Sequence, residues 1–240
     1  MAVHRGVEAA LFRPVRTRNA FEETVERLLQ AIRLGVAAPG EKLPAERDLA
    51  ARLGVSRVTL REAIRAVAEA GYVESRRGRY GGTFVAMELP SQAARGHGVP
   101  AVELEDVLTL RRILEVGAAE AAAARTLSPD ERQHLRVRLT EIGPDAVADP
   151  AEYRRRDSRL HLAIAEAAGS PSLVPLVAEN RMRLNGLLDQ IPLLPRNIAH
   201  SDEQHEAIVV AILAGDGERA AEAMRAHVAG SAALLHGFLD

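Results

Sequence analysis

The stretch 43-LPAERDLAARLGVSRVTLREAIRAVAEAGYVESRRGRYGGTFV-85 begins with two short helical segments. The first is predicted over about residues 46–53, where apolar residues recur at helical spacing. Gly54 follows it and can adopt the positive φ that a tight turn between two helices needs. Ser56 is a preferred N-cap residue, so the second helix is predicted to begin there and to run to about residue 70.

Two β-prone segments, 72-YVESRR-77 and 82-GTFV-85, complete the stretch. Gly78 and Gly81 lie between them, which is typical of a hairpin. Two short helices, a tight turn and a hairpin are the elements of a winged helix-turn-helix, whose second helix enters the major groove of DNA. The sequence therefore predicts this fold and double-stranded DNA as a partner.

Three arginines of the second helix, Arg57, Arg61 and Arg65, recur every four residues. Like charges at this spacing repel by a few tenths of a kcal/mol per pair. The apolar residues of the same helix form a stripe that is predicted to face the core: Leu60, Ile64 and Val67. Arg57 and Arg61 then project outward, where phosphates and guanine edges would stabilise them. Arg65 has Glu62 and Glu69 within helical reach, so we expect a solvated ion pair for it.

Hydroxyl groups and the hairpin tip add further candidate DNA contacts. Ser56 and Thr59 lie at the start of the second helix, where they can donate to a phosphate. The predicted hairpin carries Arg76, Arg77 and Arg79 around Gly78, which suits insertion beside a minor groove. An arginine cluster alone is more often a solvated face, so the interpretation depends on the helix-turn-helix pattern.

The composition favours a helical protein of a reducing compartment. The 240 residues are 47% hydrophobic, 27% charged and 3% aromatic, with no cysteine, so disulfides and thiolate metal sites are excluded. We recognise no signal peptide or membrane span and expect a cytoplasmic protein. Residues 1–89 carry 15 Lys and Arg against 11 Asp and Glu, and residues 90–240 carry 16 against 22. The basic front part is the one suited to a polyanion.

The chain is predicted to be mostly α, with a winged helix-turn-helix followed by an all-helical antiparallel bundle. Residues 1–19 are interpreted as a flexible arm, 20–88 as the DNA-binding domain, 89–101 as a linker, and 102–240 as the bundle. Helix starts in the bundle are indicated at Ser128-Pro129, Asp149-Pro150, Ser170-Pro171 and Ser201, and Gly215-Asp216 is predicted to end one helix and cap the last.

Four residues of the rear half could ligate a metal. Asp157 and His161 are four apart and share a helix face, and His205 and His227 lie beside apolar neighbours in two further helices. Three imidazoles and a carboxylate inside a bundle suit Zn, Ni, Mn or Fe. The alternative, histidines hydrogen-bonded in a core, stays open because spacing along the chain does not reveal convergence in space.

Residues 20–86 resemble the DNA-binding domain of the GntR family of bacterial transcription regulators, through LPAERDLA, GVSRVTLREAI, GYVESRRG and GGTFV. In the FadR-like branch of this family, the matching residues that touch DNA are Arg47, Arg57, Arg61 and the wing pair Arg77-Gly78. Arg47 would meet a phosphate. Ala45 departs from the family pattern, in which a Ser cap is common, so we expect a slightly weaker helix start.

Residues 102–240 resemble the FCD ligand-binding domain of FadR-like regulators, through 110-LRRILE-115, the D-x3-H of Asp157 and His161, H-E-A-I at His205, and M-R-A-H at His227. The resemblance implies that these four residues hold a metal and that a small organic acid meets the ion and Arg111. The alternative for Arg111 is a salt bridge to Glu115. Three other histidines match nothing in the family and are expected at the surface: His134, His200 and His236.

The resemblance implies a homodimeric transcription regulator, expected to be a repressor and not an enzyme. Two subunits would bind two half-sites of a near-palindromic operator, and the effector would act through its different affinity for two states. One alternative is a metalloenzyme with a DNA-binding domain, although HExxH is absent and Glu206 is only a remote candidate base. Another is a bundle that only dimerises.

Overall fold

A computed structural model describes residues 19–33, 37–78, 81–90, 101–142 and 150–239 of the chain. Residues 1–18 of the predicted arm and 91–100 of the predicted linker lie outside the described residues. The chain forms two compact units. The first consists of Met1–Gly98 with Gly230–Asp240, and the second of Val99–Ala229.

The first unit begins with three helices: α1 (Ala20–Arg33), α2 (Glu46–Leu53) and α3 (Arg57–Glu69). Helix α3 packs against α1 and α2. The predicted apolar stripe of α3 is buried, which confirms its orientation toward the core: Leu60, Ile64 and Val67. Gly54 has φ 68°, and its N–H donates to the carbonyls of Ala50 and Ala51, so it forms the predicted turn between α2 and α3.

The two helix starts differ in their caps. Ser56 Oγ accepts a hydrogen bond from the Thr59 amide at 3.0 Å, as its N-cap position predicts. Ala45 occupies the N-cap of α2 and makes no side-chain cap hydrogen bond. An unsatisfied first turn is less stable by about 1 kcal/mol, which agrees with the expected weaker start of α2.

The predicted hairpin forms. Strands β1 (Val73–Arg76) and β2 (Gly82–Val85) pair antiparallel, with Val73 opposite Val85 and Arg76 opposite Gly82. The segment before α2 adds to this wing, because the Leu43 amide donates to the Thr83 carbonyl at 2.8 Å. The structure thus shows a winged helix-turn-helix, and the third segment along β2 is a feature that the sequence analysis did not predict.

The end of the last helix, α9 (Gly217–Leu239), belongs to the first unit from Gly230 onward. Gly237 lies against α1, where an added Cβ would stand 3.0 Å from Glu26 Cα, so a side chain there would push the two helices apart. Phe238 contacts Tyr72 edge to face, with ring centroids 6.4 Å apart. The core of this unit is therefore completed by the last residues of the chain.

The second unit is helical and consists of α4 (Ala101–Ala123), α5 (Pro129–Glu141), α6 (Pro150–Ala167), α7 (Leu173–Leu188), α8 (Pro195–Ala214) and the first part of α9. Helix α4 packs against α6, α7 and α8, and α5 packs against α6 and α8. Its core is formed by alanines and larger apolar side chains, among them Leu160, Ile208 and Met224.

Across the described part of the chain, we find no helix with the length and apolar character that a membrane crossing requires.

Two predicted helix starts in the second unit are wrong. Helix α7 begins at Leu173, after a turn that contains Ser170 and Pro171. Helix α8 begins at Pro195, so Ser201 lies inside it. Proline lacks an amide hydrogen and has a preset φ, which makes it a strong first helical residue. The proline of α8 therefore determines its start, and the later serine is accommodated within the helix.

Helix α5 begins at the predicted Ser128-Pro129, and a capping box stabilises this start. Ser128 Oγ accepts from the Glu131 amide at 3.2 Å, and Glu131 Oε2 accepts from the Ser128 amide at 2.7 Å. Gly215 ends α8 with φ 76°, and Asp216 Oδ1 accepts from the Arg219 amide at 3.0 Å. Both boundaries agree with the sequence analysis.

We expect Ser128→Ala to lower the free energy of unfolding of the second unit by about 1 kcal/mol, because the Glu131 amide in the first turn of α5 loses the hydroxyl oxygen that accepts its hydrogen bond. Urea denaturation followed by circular dichroism measures the change. Ser172→Ala is the matched control, because Ser172 is an N-cap without a side-chain cap bond. Equal losses in the two variants would contradict the capping argument.

Candidate functional site

The four residues predicted as metal ligands lie together inside the second unit. Asp157 and His161 are one turn apart on α6, His205 is on α8 and His227 is on α9. One ligand atom from each lies within 4.8 Å of the others, and all four side chains are buried. The remaining described histidines are partly exposed and outside this cluster: His134, His200 and His236. The candidate ligands converge, and metal binding by them stays a prediction.

The carboxylate of Asp157 faces two of the rings. Its Oδ1 lies 3.2 Å from His205 Nε2 and 3.7 Å from His161 Nε2. The ring centroids of His205 and His227 are 4.5 Å apart. Two ligands at about 2.1 Å from one ion are at most about 4.2 Å apart. Side-chain shifts of roughly 1 Å or less would therefore complete a coordination sphere.

The donor atoms fit a divalent metal. Both ring nitrogens of His161 and of His205 are buried and none makes a well-aligned hydrogen bond to a described residue, although carboxylate oxygens lie 3.0 Å from His161 Nδ1 and 3.2 Å from His205 Nε2. Buried polar atoms are normally partnered, so these four need an explanation. Burial first, and then nearby positive charge, lowers the pKa of His205 and of His227 well below its ordinary value. A neutral imidazole is the form that ligates metals.

Polar side chains next to the cluster orient two of its rings. Glu115 Oε2 lies 3.0 Å from His161 Nδ1, and Gln204 Oε1 lies 3.2 Å from His227 Nδ1. Arg111 Nη2 lies 3.3 Å from His227 Nε2. Since a guanidinium only donates, Nε2 accepts, and the proton of His227 is on Nδ1, toward Gln204. Histidines that bind metals usually present their second nitrogen to such oxygen atoms.

Arg111, the candidate effector residue, lies beside the cluster on α4 and is 2% exposed. Its Nε donates to Glu115 Oε2 at 3.1 Å, so the salt bridge considered as the alternative is present. Arg111 also contacts His227, one of the candidate metal ligands, so it is part of the same polar network. Effector binding by Arg111 remains a prediction, and an effector carboxylate would have to share this guanidinium with Glu115.

A second buried arginine, Arg181 on α7, was missed by the sequence analysis. Its Nη2 donates to Asp157 Oδ2, and its Nη1 lies 3.4 Å from Glu115 Oε1. Its Nε is buried without a partner among the described residues. The sequence does contain a signal for the burial of Arg181. It shares a helix face with three apolar residues, Val177, Leu184 and Leu188, and such a face is expected to pack inward.

Glu115 lies between the two buried guanidinium groups. Burial alone would raise the pKa of this carboxyl group, but the charge of Arg111, with those of His161 and Arg181, holds the pKa well below its usual value. The ionised carboxylate is therefore compensated by its neighbours. The two guanidinium groups of Arg111 and Arg181 balance the two carboxylates of Glu115 and Asp157 in charge.

The candidate DNA contacts on the first unit are exposed, except for the half-buried Thr59. Among the described residues, Arg57 has no acidic partner. Arg61 Nε donates to Glu46 Oε2 at 2.7 Å, and Arg47 Nε lies 3.3 Å from Asp48 Oδ1. Pairs of this kind between exposed side chains contribute about 0–1 kcal/mol. A phosphate or a base edge could therefore replace the carboxylates at low cost.

The remaining residues of α3 also agree with their predicted positions. Arg65 Nε donates to Glu69 Oε1 at 2.9 Å, which confirms the expected exposed ion pair. The hydroxyls of Ser56 and Thr59 are 2.8 Å apart at the start of the helix. Of the three arginines spaced by four residues, two are paired within the chain, so their mutual repulsion is smaller than the sequence analysis assumed.

The wing tip presents a free cation. Arg77 is exposed and has no ion pair among the described residues, whereas Arg76 pairs with Glu74. Gly78 has φ 106°, a conformation that strongly favours glycine. Arg79 lies outside the described residues. Arg77 and Gly78 are thus exposed at the tip of the wing, and DNA binding by them stays a prediction.

We expect the metal-free protein to lose stability as the pH falls below about 6.5. His205 and His227 have depressed pKa values in the folded state. The unfolded chain therefore binds more protons in this range, and stability present above the unfolded pKa is lost on acidification. Thermal unfolding from about pH 7.5 to about pH 5.5, after treatment with a chelator, measures the loss.

The double variant His205→Gln, His227→Gln serves as the comparison, because glutamine does not titrate. Its melting temperature should depend less steeply on pH than that of the wild type. Identical slopes would show that these two histidines are not the origin of the pH dependence.

Two family models match the chain. Residues 21–85 match the model described as "Bacterial regulatory proteins, gntR family", and residues 106–230 match the model described as "FCD domain". The first range contains the winged helix-turn-helix, and the second contains all four residues of the histidine cluster.

Relatives agree with both models. A regulatory protein of Escherichia coli (strain K12), named for the L-lactate dehydrogenase operon, is 32% identical over 88% of this chain and 84% of its own length. The transcriptional repressor NanR of Salmonella arizonae is 29% identical over 94% and 88% of the two chains. The solved structure of Escherichia coli McbR/YncC is similar in fold, with a TM-score of 0.51 and 20% identity over 90% and 96%. The chain therefore belongs to the GntR family of bacterial transcription regulators and carries an FCD domain.

Proposed function

We propose that this chain is a metal-dependent transcriptional repressor whose affinity for its operator is changed by a small organic acid. The observation that carries the proposal is the buried cluster of Asp157, His161, His205 and His227 beside two buried arginines. The proposed DNA-binding domain covers residues 20–88, and the proposed effector-binding and dimerisation domain covers residues 102–240. NanR, a relative, is named as a repressor, which supports the proposed sign of regulation.

Asp157, His161, His205 and His227 would hold the metal through one carboxylate oxygen and three ring nitrogens. This donor set suits Zn, Ni, Mn or Fe. Such an ion supplies a positive centre with positions left for oxygen ligands. Glu115 and Gln204 would keep the rings of His161 and His227 in orientation, through the contacts at their Nδ1 atoms.

The charge balance of the site favours an anionic effector. Without a metal, two arginines and two carboxylates compensate one another, so a divalent ion adds two uncompensated positive charges. Uncompensated charge is costly in a buried site. A carboxylate ligand would reduce this excess. The relative from Escherichia coli is named for the L-lactate dehydrogenase operon, and lactate belongs to the class of small organic acids proposed here.

Arg111 is the proposed effector contact, and Arg181 is a second candidate near the same cluster. A guanidinium pairs with a carboxylate through two parallel hydrogen bonds. Arg111 uses its Nε for Glu115, whereas the Nε of Arg181 is buried and unpartnered among the described residues. Binding of an acid would thus compete with Glu115 and Asp157 for these cations. Such competition gives the ligand a differential affinity for two arrangements of the site.

The first unit would bind a near-palindromic operator in double-stranded DNA, as a homodimer in the cytoplasm. Arg57 and Arg61 would meet base edges or phosphates in the major groove, and Arg47 would meet a phosphate. Ser56 and Thr59 would donate to a phosphate, and Arg77-Gly78 would contact the groove next to the wing. Metal-dependent catalysis is not favoured, because Glu206, the remote candidate base, is exposed while its neighbour His205 is buried.

We expect Arg57→Ala and Arg61→Ala each to weaken operator binding by about 1–3 kcal/mol. Arg61→Ala should cost less than Arg57→Ala if release from Glu46 offsets part of the DNA contact. Arg65→Ala is the matched control, because Arg65 is on the same helix and is paired with Glu69. Mobility-shift titration measures all three variants. Wild-type affinity in both Arg57→Ala and Arg61→Ala would show that α3 does not read DNA.

We expect the wild-type chain to bind about one divalent ion and His205→Ala to bind far less. Elemental analysis measures the ion. A thermal-shift screen of the metal-loaded protein against small carboxylic acids then identifies stabilising ligands. The variant should lose the effector response and keep measurable DNA binding, whereas His134→Ala, outside the cluster, should behave like the wild type. A full effector response in metal-free His205→Ala would remove the metal from the proposal.

A further inference from the structure

Val58 is the second residue of α3 and its side chain is 65% exposed. It lies between Arg57 and Thr59 and one turn before Arg61, so it shares the exposed side of the helix with the candidate DNA contacts. Within the described part of the first unit, Met87 is the other large apolar side chain that is strongly exposed. Of these two residues, Val58 lies on α3, the helix that is proposed to enter the major groove, and Met87 does not.

An exposed valine is common on protein surfaces and by itself indicates nothing. Its position makes it informative, because it adjoins Arg57, an exposed cation without an acidic partner among the described residues, and such a cation attracts a duplex. A duplex that occupies this surface brings base edges to the first turn of α3. The apolar group that those edges offer in the major groove is the C5-methyl of thymine.

We propose that Val58 reads a thymine methyl group in each operator half-site, an inference that rests on the proposed function. The two γ-methyls of Val58 would contact the C5-methyl and exclude water from it. A cytosine at that position offers a donor and no methyl, so it would leave the valine against a polar edge. Val58 thus contributes to specificity, and the arginines contribute both affinity and guanine contacts.

The spacing along α3 places the thymine relative to the arginine contacts. One helical turn rises about 5.4 Å, and successive base pairs are about 3.4 Å apart. Val58 and Arg61 are three residues apart, a rise of about 4.5 Å along the helix, so they would contact neighbouring base pairs. The thymine is therefore expected beside the base pair whose readout depends on Arg61.

The test starts from a pool of random duplexes, from which the full-length wild-type chain and Val58→Ala each select binding sites. The wild type should select a thymine next to an arginine-dependent guanine, and Val58→Ala should lose that preference. Deoxyuridine is then placed at this thymine, because it removes one methyl and leaves base pairing intact. We expect a loss of about fourfold in wild-type affinity, from the transfer free energy of one methyl group, and no loss for Val58→Ala.

Val137→Ala is the control, because Val137 is also exposed but lies on α5. This variant should keep both the thymine preference and the deoxyuridine effect. Since Val58 is exposed, Val58→Ala should retain the wild-type melting temperature, which separates a readout defect from misfolding.

Two outcomes overturn the inference alone. A wild-type site without a thymine beside the arginine-dependent base pair is one, and an equal deoxyuridine effect in wild type and Val58→Ala is the other. A wild-type chain that selects no sequence overturns the proposed function and the inference with it. Loss of the thymine preference in Val58→Ala, with unchanged guanine preferences, supports the assignment.

Discussion

Two guanidinium groups are buried in the second unit, and each needs a carboxylate beside it to offset the cost of burying its charge. Arg111 and Arg181 are both almost fully inaccessible, and Glu115 lies between them while Asp157 accepts from Arg181. Removing one partner of such a network leaves an uncompensated charge in a medium that solvates it poorly, which typically costs 3–5 kcal/mol. The helices α4, α6 and α7 are therefore coupled by electrostatics as well as by apolar packing, and the histidine rings are oriented within the same network.

The exposed arginines of the first unit differ from the buried ones, because losing a carboxylate partner costs them little. Arg61 and Glu46 form a pair that water solvates and salt screens, so exchange of the carboxylate for a phosphate changes little. Arginine thus has different uses at the surface and in the interior. An exposed arginine can pair with a polyanion, whereas a buried arginine can pair only with a ligand whose charge replaces that of its carboxylate partners.

The first unit could be predicted closely because its signals are local. Gly54 and Ser56 mark a turn and a cap whose energetics depend on neighbours in sequence, and the structure agrees with both. In the second unit, the predicted helix start at Ser201 is wrong, because Pro195, six residues upstream, is the first residue of α8. Convergence of His161, His205 and His227 depends on tertiary packing, which spacing does not encode. Arg181 was missed for the same reason, since its buried partners come from α4 and α6.

The last helix has a practical implication for work with parts of the molecule. A fragment that stops after the wing would lack Phe238, the aromatic partner of Tyr72, and the backbone at Gly237 that approaches α1 so closely. Apolar side chains of the first unit that Phe238 covers would then face solvent, and such a fragment would be prone to aggregate.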